Sequence, residues 1–595
     1  MKLSLLLLLI PFTALSQEHN FDFEKLKPGG KQPEEWGLPP VEGNKAGYTV
    51  LTDTVAFSGK YSVAITQNSP VAQNAFGAFN YSIPATFKGQ RVTLEGYIKT
   101  EDVKDGHAAL YLNVVGTKAF DNMNERGVTG TTDWHKYSIE LALGEEATSI
   151  SFGALFTGRG KVWIDNMSLN VDGKDFTLAP AREKRVPPAA DLAWLKQHAL
   201  PLRSVDANTG FEDLAPVGEM IGDARIVSLG EPTHGTSEAF RMKHRLLEYL
   251  VKEKGFDIFS IEANMPECRA INDYVLHGDG DPKKLLDTMY FWTWNTQEVL
   301  DMITWMRAYN AGNPKKMVQF TGFDMQFPGV AATELKAFLA AFAPAQQALG
   351  DSIAAQSGAL MRKRQTKRAG YEAPELQQSL AALKQFFKNS RQRLTAEVGG
   401  EKFAWAMHHI AVIEQFAQLA AENTFGSARD SSMAENVDWL VKRYPGSKLV
   451  LWAHNGHVSK AANAMGGYLE KMYGKQMVVM GFAAAEGTYT AIIPGQAIFS
   501  NNVLSAPPDG SFEWYGRNSG LGNFVLDLRK ENLKDPGAAW LLEKRGIRRI
   551  GAVMMQPKFQ FSQTLLPNDF DAVIYLDKTT ASQCFRAWKG NSANK

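Results

Sequence analysis

The 595-residue sequence predicts a multidomain chain: an all-β antiparallel sandwich, then an α/β domain with a mostly parallel sheet and a long helical insertion. Three observations predict it. From about Phe21 to Asp175, short runs of alternating apolar and polar residues follow one another with Gly and Asn turns between them. Beyond a proline-bearing stretch, strand-like apolar runs alternate with helical periodicity, the way parallel sheets are assembled. The length also exceeds the roughly 250–300 residues at which one hydrophobic core stops growing.

The elements follow in order. Lys2, the apolar run Leu3–Ile10 and the small residues around Ala14–Ser16 have the layout of a secretory signal peptide over 1–16. The run is too short to span a bilayer, and no later stretch reaches about 18 uncharged apolar residues, so no membrane span is expected. The product is expected in the periplasm or the medium. Residues 17–176 are expected to form the sandwich, with strands at 61–65, 92–98, 109–114, 134–141 and 161–169. Residues 177–190, with Pro180, Pro187 and Pro188, read as a linker. The α/β domain then occupies 191–595, with a helix over 237–252, strands at 257–261 and 317–322, and a helical insertion at about 333–425.

Composition narrows the function. With 64 Lys+Arg against 63 Asp+Glu, no net field favours nucleic acid or an anionic membrane. Cys268 and Cys584 are the two cysteines, which supports neither a disulfide framework nor a cysteine metal cluster.

Two polar runs carry the chemistry. Arg225–Gly230 leads into Glu231-Pro232-Thr233-His234-Gly235-Thr236, and Lys448–Ala453 leads into His454-Asn455-Gly456-His457. In open α/β sheets ligands collect at the carboxyl ends of strands. Glu231 stands three residues before His234, so its carboxylate can orient the imidazole and raise its basicity. Glu262 and Asp324 end two further strands and bring carboxylates to the same edge. A lone strand-end carboxylate is commonly a helix cap, and a lone histidine a packing residue; their joint occurrence marks a site. His408 and His409 lie inside a helical run and read as structural. No nucleophile elbow, phosphate loop or dinucleotide fingerprint occurs, which leaves water as the candidate nucleophile.

The segments Leu229–Thr236, Phe240 with His244-Arg245, Ile261–Ala263, Asn295–Asn310, Gly322–Asp324, Arg429–Asn436 and Ala453–His457 resemble the erythromycin esterase family in order and spacing, from about Asp191 onward. The N-terminal strands, with Val162-Trp163-Ile164-Asp165-Asn166 near their end, resemble the jelly-roll modules attached to secreted carbohydrate-active enzymes, which makes carbohydrate a candidate partner there. The first resemblance implies a hydrolase that opens macrolide lactones with water, without metal or weakly linked to one. It implies His234 as general base, Glu231 and Glu262 as orienting groups, and His454 and His457 as ester-binding or polarising groups. Lys243, His244, Arg245, Asp324, Trp294 and Arg429 are then the candidate substrate-binding residues.

Lys243 departs from the Arg that some resistance enzymes have, and these cations are not equivalent at a bidentate site. An export signal and an accessory module also depart from those enzymes, so the substrate carries over less well than the fold. Three readings stay open. One is an exported esterase using activated water with no cofactor, on a small ester or macrolactone, with a role in antibiotic resistance. The second is a metal-dependent hydrolase holding a divalent ion such as Zn or Mn on His234, His454, His457 and Glu262. The third is a non-catalytic protein that binds glycan or a cofactor.

Overall fold

The computed structural model describes residues 19–27, 29–38, 47–68, 75–183, 185–366, 370–422, 427–493 and 498–585. The signal-peptide expectation for 1–16 lies outside the described residues. The chain divides into two compact units, Met1–Arg185 and Val186–Lys595. Among the described residues no helix is long and apolar enough to cross a membrane.

The first unit is an antiparallel sheet curled round its own core. Its main strands are β1 (Tyr48–Asp53), β2 (Ser62–Gln67), β3 (Gly77–Pro84), β4 (Arg91–Val115), β5 (Val128–Ala142), β6 (Ser149–Phe156) and β7 (Arg159–Val171). The expectation of separate strands at 92–98 and 109–114 is corrected: they are the two ends of β4. The charged stretch between them reads as a turn, but Asp102 and Asp105 take positive φ and the ladder shifts register there. Such bulges bend a strand without ending it. The first half of β4 pairs with β7 and the second with β6, so one bent strand joins both neighbours in the curled sheet. Val92, Leu94, Ile98, Leu110, Leu112, Phe152 and Ile164 fill the core between them. The stretch read as a linker is shorter than expected. Ala181 bridges to Phe87, Arg182 donates to the carbonyls of Gly144, Glu145 and Ala147, and a helix begins at Ala189.

The second unit is built on a mixed, mostly parallel sheet. In chain order the elements that position the site are β8 (Ile226–Leu229), α1 (Ser237–Lys254), β9 (Ile258–Asn264), α2 (Cys268–His277), α3 (Gln297–Gly312) and β10 (Gln319–Asp324). Five helices form the insertion: α4 (Gly329–Phe342), α5 (Gln347–Thr366), α6 (Pro374–Asn389), α7 (Arg391–Val398) and α8 (Gly400–Ala421). There follow α9 (Ser427–Arg443), β11 (Leu449–Trp452), the single turn α10 (Asn455–Val458), β12 (Met477–Ile492), β13 (Phe524–Asp527) and β14 (Ala572–Thr579). The sheet order is β13–β14–β12–β8–β11–β9–β10, with β13 antiparallel to β14 and the rest of this series parallel.

Alternate residues of each strand feed opposite faces, as the two-residue side-chain period requires. Val227, Leu229, Phe259, Ile261, Val450 and Trp452 pack on one face. Ile226, Ile258, Leu449 and Leu451 pack on the other. The insertion has a core of its own, around Leu335, Leu339, Leu380, Leu383, Ile410 and Phe416. Two helix ends show local control. α1 stops at Gly255, whose left-handed φ of 72° lets its N–H reach the Leu250 carbonyl. Thr296 accepts from the Val299 N–H and starts α3.

Register places the site. Leu229, Trp452 and Ile261 stand level across β8, β11 and β9. The residues after Leu229 and Trp452 therefore leave the sheet side by side, carrying Glu231 and His454, with Glu262 next to them in the last residues of β9. Asp324 ends β10 beside them.

Candidate active site

The carboxyl edge of the sheet gathers polar groups from four neighbouring strands. His234 Nδ1 lies 2.5 Å from Glu231 Oε1. A carboxylate there requires the proton on Nδ1, which leaves the Nε2 lone pair of His234 free to take one. The other Glu231 oxygen accepts from the Trp452 indole at 2.7 Å and from the Lys243 ammonium. Burial opposes the charge on Glu231, but Lys243 and His234 outweigh it and hold the carboxyl down at about 2. Burial likewise pulls the Lys243 ammonium down to about 8, with Glu231 resisting.

His454 faces His234 with ring centroids 5.1 Å apart. Its Nδ1 accepts the Gly456 N–H at 3.1 Å and caps α10. The ring proton therefore sits on Nε2, a buried atom with no partner. Burial, followed by the neighbouring His234 and His457, pulls this imidazole down to about 3, so it is neutral at ordinary pH. A neutral ring with an unpaired N–H is a donor waiting for an acceptor.

Glu262 takes the His454 backbone N–H at 2.9 Å on one oxygen and Arg429 at 2.7 Å on the other. Arg429 also reaches Asp324 at 2.7 Å and His457 Nε2 at 2.9 Å. His457 Nδ1 meets Asp430 at 2.8 Å. Burial alone would raise the Glu262 pKa, but His457, Arg429 and His234 hold it well below the usual carboxylate range. Burial pulls His457 down, yet Glu262 and Asp430 leave it above its ordinary value, against the opposing Arg429 charge.

The structure brings His234, Glu231, Glu262, His454, His457, Asp324 and Arg429 together. Trp294 stands at its wall, its ring 6.0 Å from that of His234 and its indole N–H on the Glu262 carbonyl. Three substrate-binding expectations are corrected. Lys243 is 0% exposed and spends its ammonium on Glu231, beneath the Trp452 ring. His244, one residue round α1, packs beside Trp305 and is pulled by burial down to about 4. Arg245 is turned further, into a buried pair with Asp213 at 2.5 Å. Successive helical residues differ by about 100° in direction, so these three cannot share one pocket. Sequence reasoning also missed Trp452 and Asp430. Both sit one or two residues from a named site residue, Trp452 inside an apolar strand and Asp430 next to Arg429.

The metal reading can be tested on the donor atoms. His457 has a partner on each nitrogen, Glu262 has one on each oxygen, and His454 offers a protonated Nε2. Among the described residues no group of three or more His, Cys, Asp or Glu is placed to hold an ion.

The Glu231 carboxylate gives a pH test. Its folded pKa, about 2, lies below its ordinary 4.5, so its contribution to stability is present above pH 4.5 and fades as the pH falls towards 2. The difference in urea midpoint between the parent and Glu231→Gln is expected to be open at pH 7, narrow below pH 4.5 and closed near 2. A difference that stays constant with pH would count against the ion pair.

Comparison with known proteins places this arrangement. The erythromycin esterase family model matches residues 251–579, more than half of the chain. YbfO of Bacillus subtilis (strain 168) is 25% identical over 427 residues, 65% of this chain and 91% of YbfO. Erythromycin esterase type II of Escherichia coli is 23% identical over 430 residues, 66% of this chain and 98% of that one. A crystal structure of a Bacillus cereus protein superposes with a TM-score of 0.60 at 26% identity, covering 67% of this chain and 100% of that chain. An erythromycin esterase in its open conformation superposes at 0.51 and 16% identity, over 65% of this chain and 96% of that one, a likeness of fold alone. The chain belongs to the erythromycin esterase family.

Proposed function

We propose that the second unit hydrolyses a carboxylic ester with water activated by His234. One observation carries the reading: the Glu231–His234 pair, with Nε2 left to accept a proton, stands beside His454, whose Nε2–H has no partner, the two ring centroids 5.1 Å apart. A base and a donor side by side at one edge of the sheet suit water attack on an ester carbonyl. His234 takes the proton of the attacking water, and Glu231 stabilises the imidazolium that forms. His454 donates to the oxygen that becomes negative, with the Arg429 guanidinium behind it. The tetrahedral intermediate collapses, the alkoxide leaves with the proton from His234, and acid and alcohol are released.

The name of the Escherichia coli relative supports a macrolide lactone as one substrate, and opening that ring outside the cell would serve antibiotic resistance. Incubation with a panel of macrolides and simple esters is expected to show gain of one water by mass spectrometry in at least one case. No gain across the panel would overturn the ester reading. Export belongs to the same proposal, and the exported protein is expected to begin at Gln17 by N-terminal sequencing.

The chain's own groups complete this chemistry, so turnover is expected to survive chelation. Turnover lost on chelation and restored by one added divalent ion would favour the metal reading at His234, His454, His457 and Glu262.

A further inference from the structure

We propose that the outward face of the N-terminal sheet, at Phe57, Tyr97 and Trp134, binds a neutral polysaccharide chain. Alternation along β4 sends Val92, Leu94 and Ile98 into the core and Thr93, Glu95, Tyr97 and Lys99 to the opposite face. Phe57, on the loop between β1 and β2, lies flat on Tyr97, with centroids 3.6 Å apart and rings 14° from parallel. Trp134 stands 6.1 Å from Phe57 at 66°. Phe57 is 41% exposed, and Tyr97 and Trp134 are partly so.

The loop is held there deliberately. Asp165, 0% exposed, accepts the backbone N–H groups of Phe57 at 2.7 Å and Ser58 at 3.0 Å with one oxygen. Its other oxygen takes the Asn166 N–H at 2.6 Å. The Trp-Ile-Asp-Asn motif thereby splits into two roles. Trp163 is roofed by Lys161, 4.5 Å over its ring and paired with Asp53, and is not offered to a ligand. Asp165 offers none of its own atoms but spends a buried carboxylate on presenting Phe57.

The surroundings select the occupant. Lys99 pairs with Asp133 at 2.7 Å, and Lys136 with Glu95 at 2.9 Å, so the charges round the rings cancel in pairs. A charged polymer finds no net field there. A stable protein interface needs about 800 Å² per partner. Three rings buried whole would give about 450–750 Å², and these three, with Phe57 already stacked on Tyr97, have less than that to offer. Pyranose rings offer C–H faces that stack on the negative faces of aromatic rings and a rim of hydroxyls. Lys99 with Asp133, and Glu95 with Ser168, next to Tyr97 and Trp134 along the strands, offer donors and acceptors to that rim.

The test uses the full chain. Retention is measured by affinity electrophoresis in gels containing xylan, β-mannan, galactan or hydroxyethyl cellulose. Mobility is expected to fall in at least one polymer, and Tyr97→Ala or Trp134→Ala is expected to weaken retention at least tenfold. Both variants should keep the parent melting temperature and any ester turnover. No retention in any polymer, or retention unchanged in both folded variants, would overturn the proposal. So would self-association on sedimentation that Trp134→Ala abolishes in the absence of any retention.

Discussion

His234→Asn is expected to lower ester turnover by about 10²–10⁴-fold while leaving the fold intact, the range for a lost general base. Asparagine is polar and smaller than histidine, and its amide can still donate towards Glu231, so the buried carboxylate keeps a partner. What it lacks is a basic nitrogen where Nε2 of His234 stands. The loss should therefore fall on kcat, because the imidazole accepts its proton during the chemical step. Circular dichroism and a melting curve would establish folding, and initial rates on a reactive aryl ester would give the loss. Near-parent turnover in a folded variant would remove His234 from the mechanism.

Arg429→Met is expected to cost about 3–5 kcal/mol of stability, because it strips the cation from two buried carboxylates at once. Arg429 is the group that joins Glu262 and Asp324, each contacted at 2.7 Å. Asp324 is 0% and Glu262 5% exposed, so both carboxylates have given up their water and rely on the guanidinium for compensation. The urea midpoint of the variant would show the loss. Adding Asp324→Asn should recover part of it, since one of the two stranded charges is then gone. An Arg429→Met midpoint equal to the parent's would mean that the carboxylates find other partners.

The strand-end groups were legible because their signal is local. Glu231, Glu262, Asp324 and His454 each follow a short, mostly apolar strand-like run, and such a run in an α/β pattern names both strand and edge. The direction of Lys243, His244 and Arg245 was not legible. Nearly every residue of α1 from Ser237 to Val251 is buried except Glu238 and Arg241, so hydrophobic periodicity no longer marks a face. Which side of such a helix meets the site depends on the strands it crosses. The double duty of β4 was hidden for a related reason, since Asp102, Lys104 and Asp105 have the composition of a turn inside a continuous strand. Trp452 was hidden by its class. An indole in a core strand signals packing, and its N–H on Glu231 is a fact of three dimensions.

The position of β11 between β8 and β9 has a consequence for biosynthesis. The ribosome delivers β8, β9 and β10 first, then the five insertion helices, and only then the strand that joins β8 to β9. Until it arrives, β8 and β9 each lack the partner between them, and unpaired edges of apolar strands invite pairing with other chains. The insertion helices, with a core of their own, can form during that interval without it. Chaperone dependence should therefore peak in chains stalled just before Leu449, and no nascent fragment ending there can hold His454 against His234.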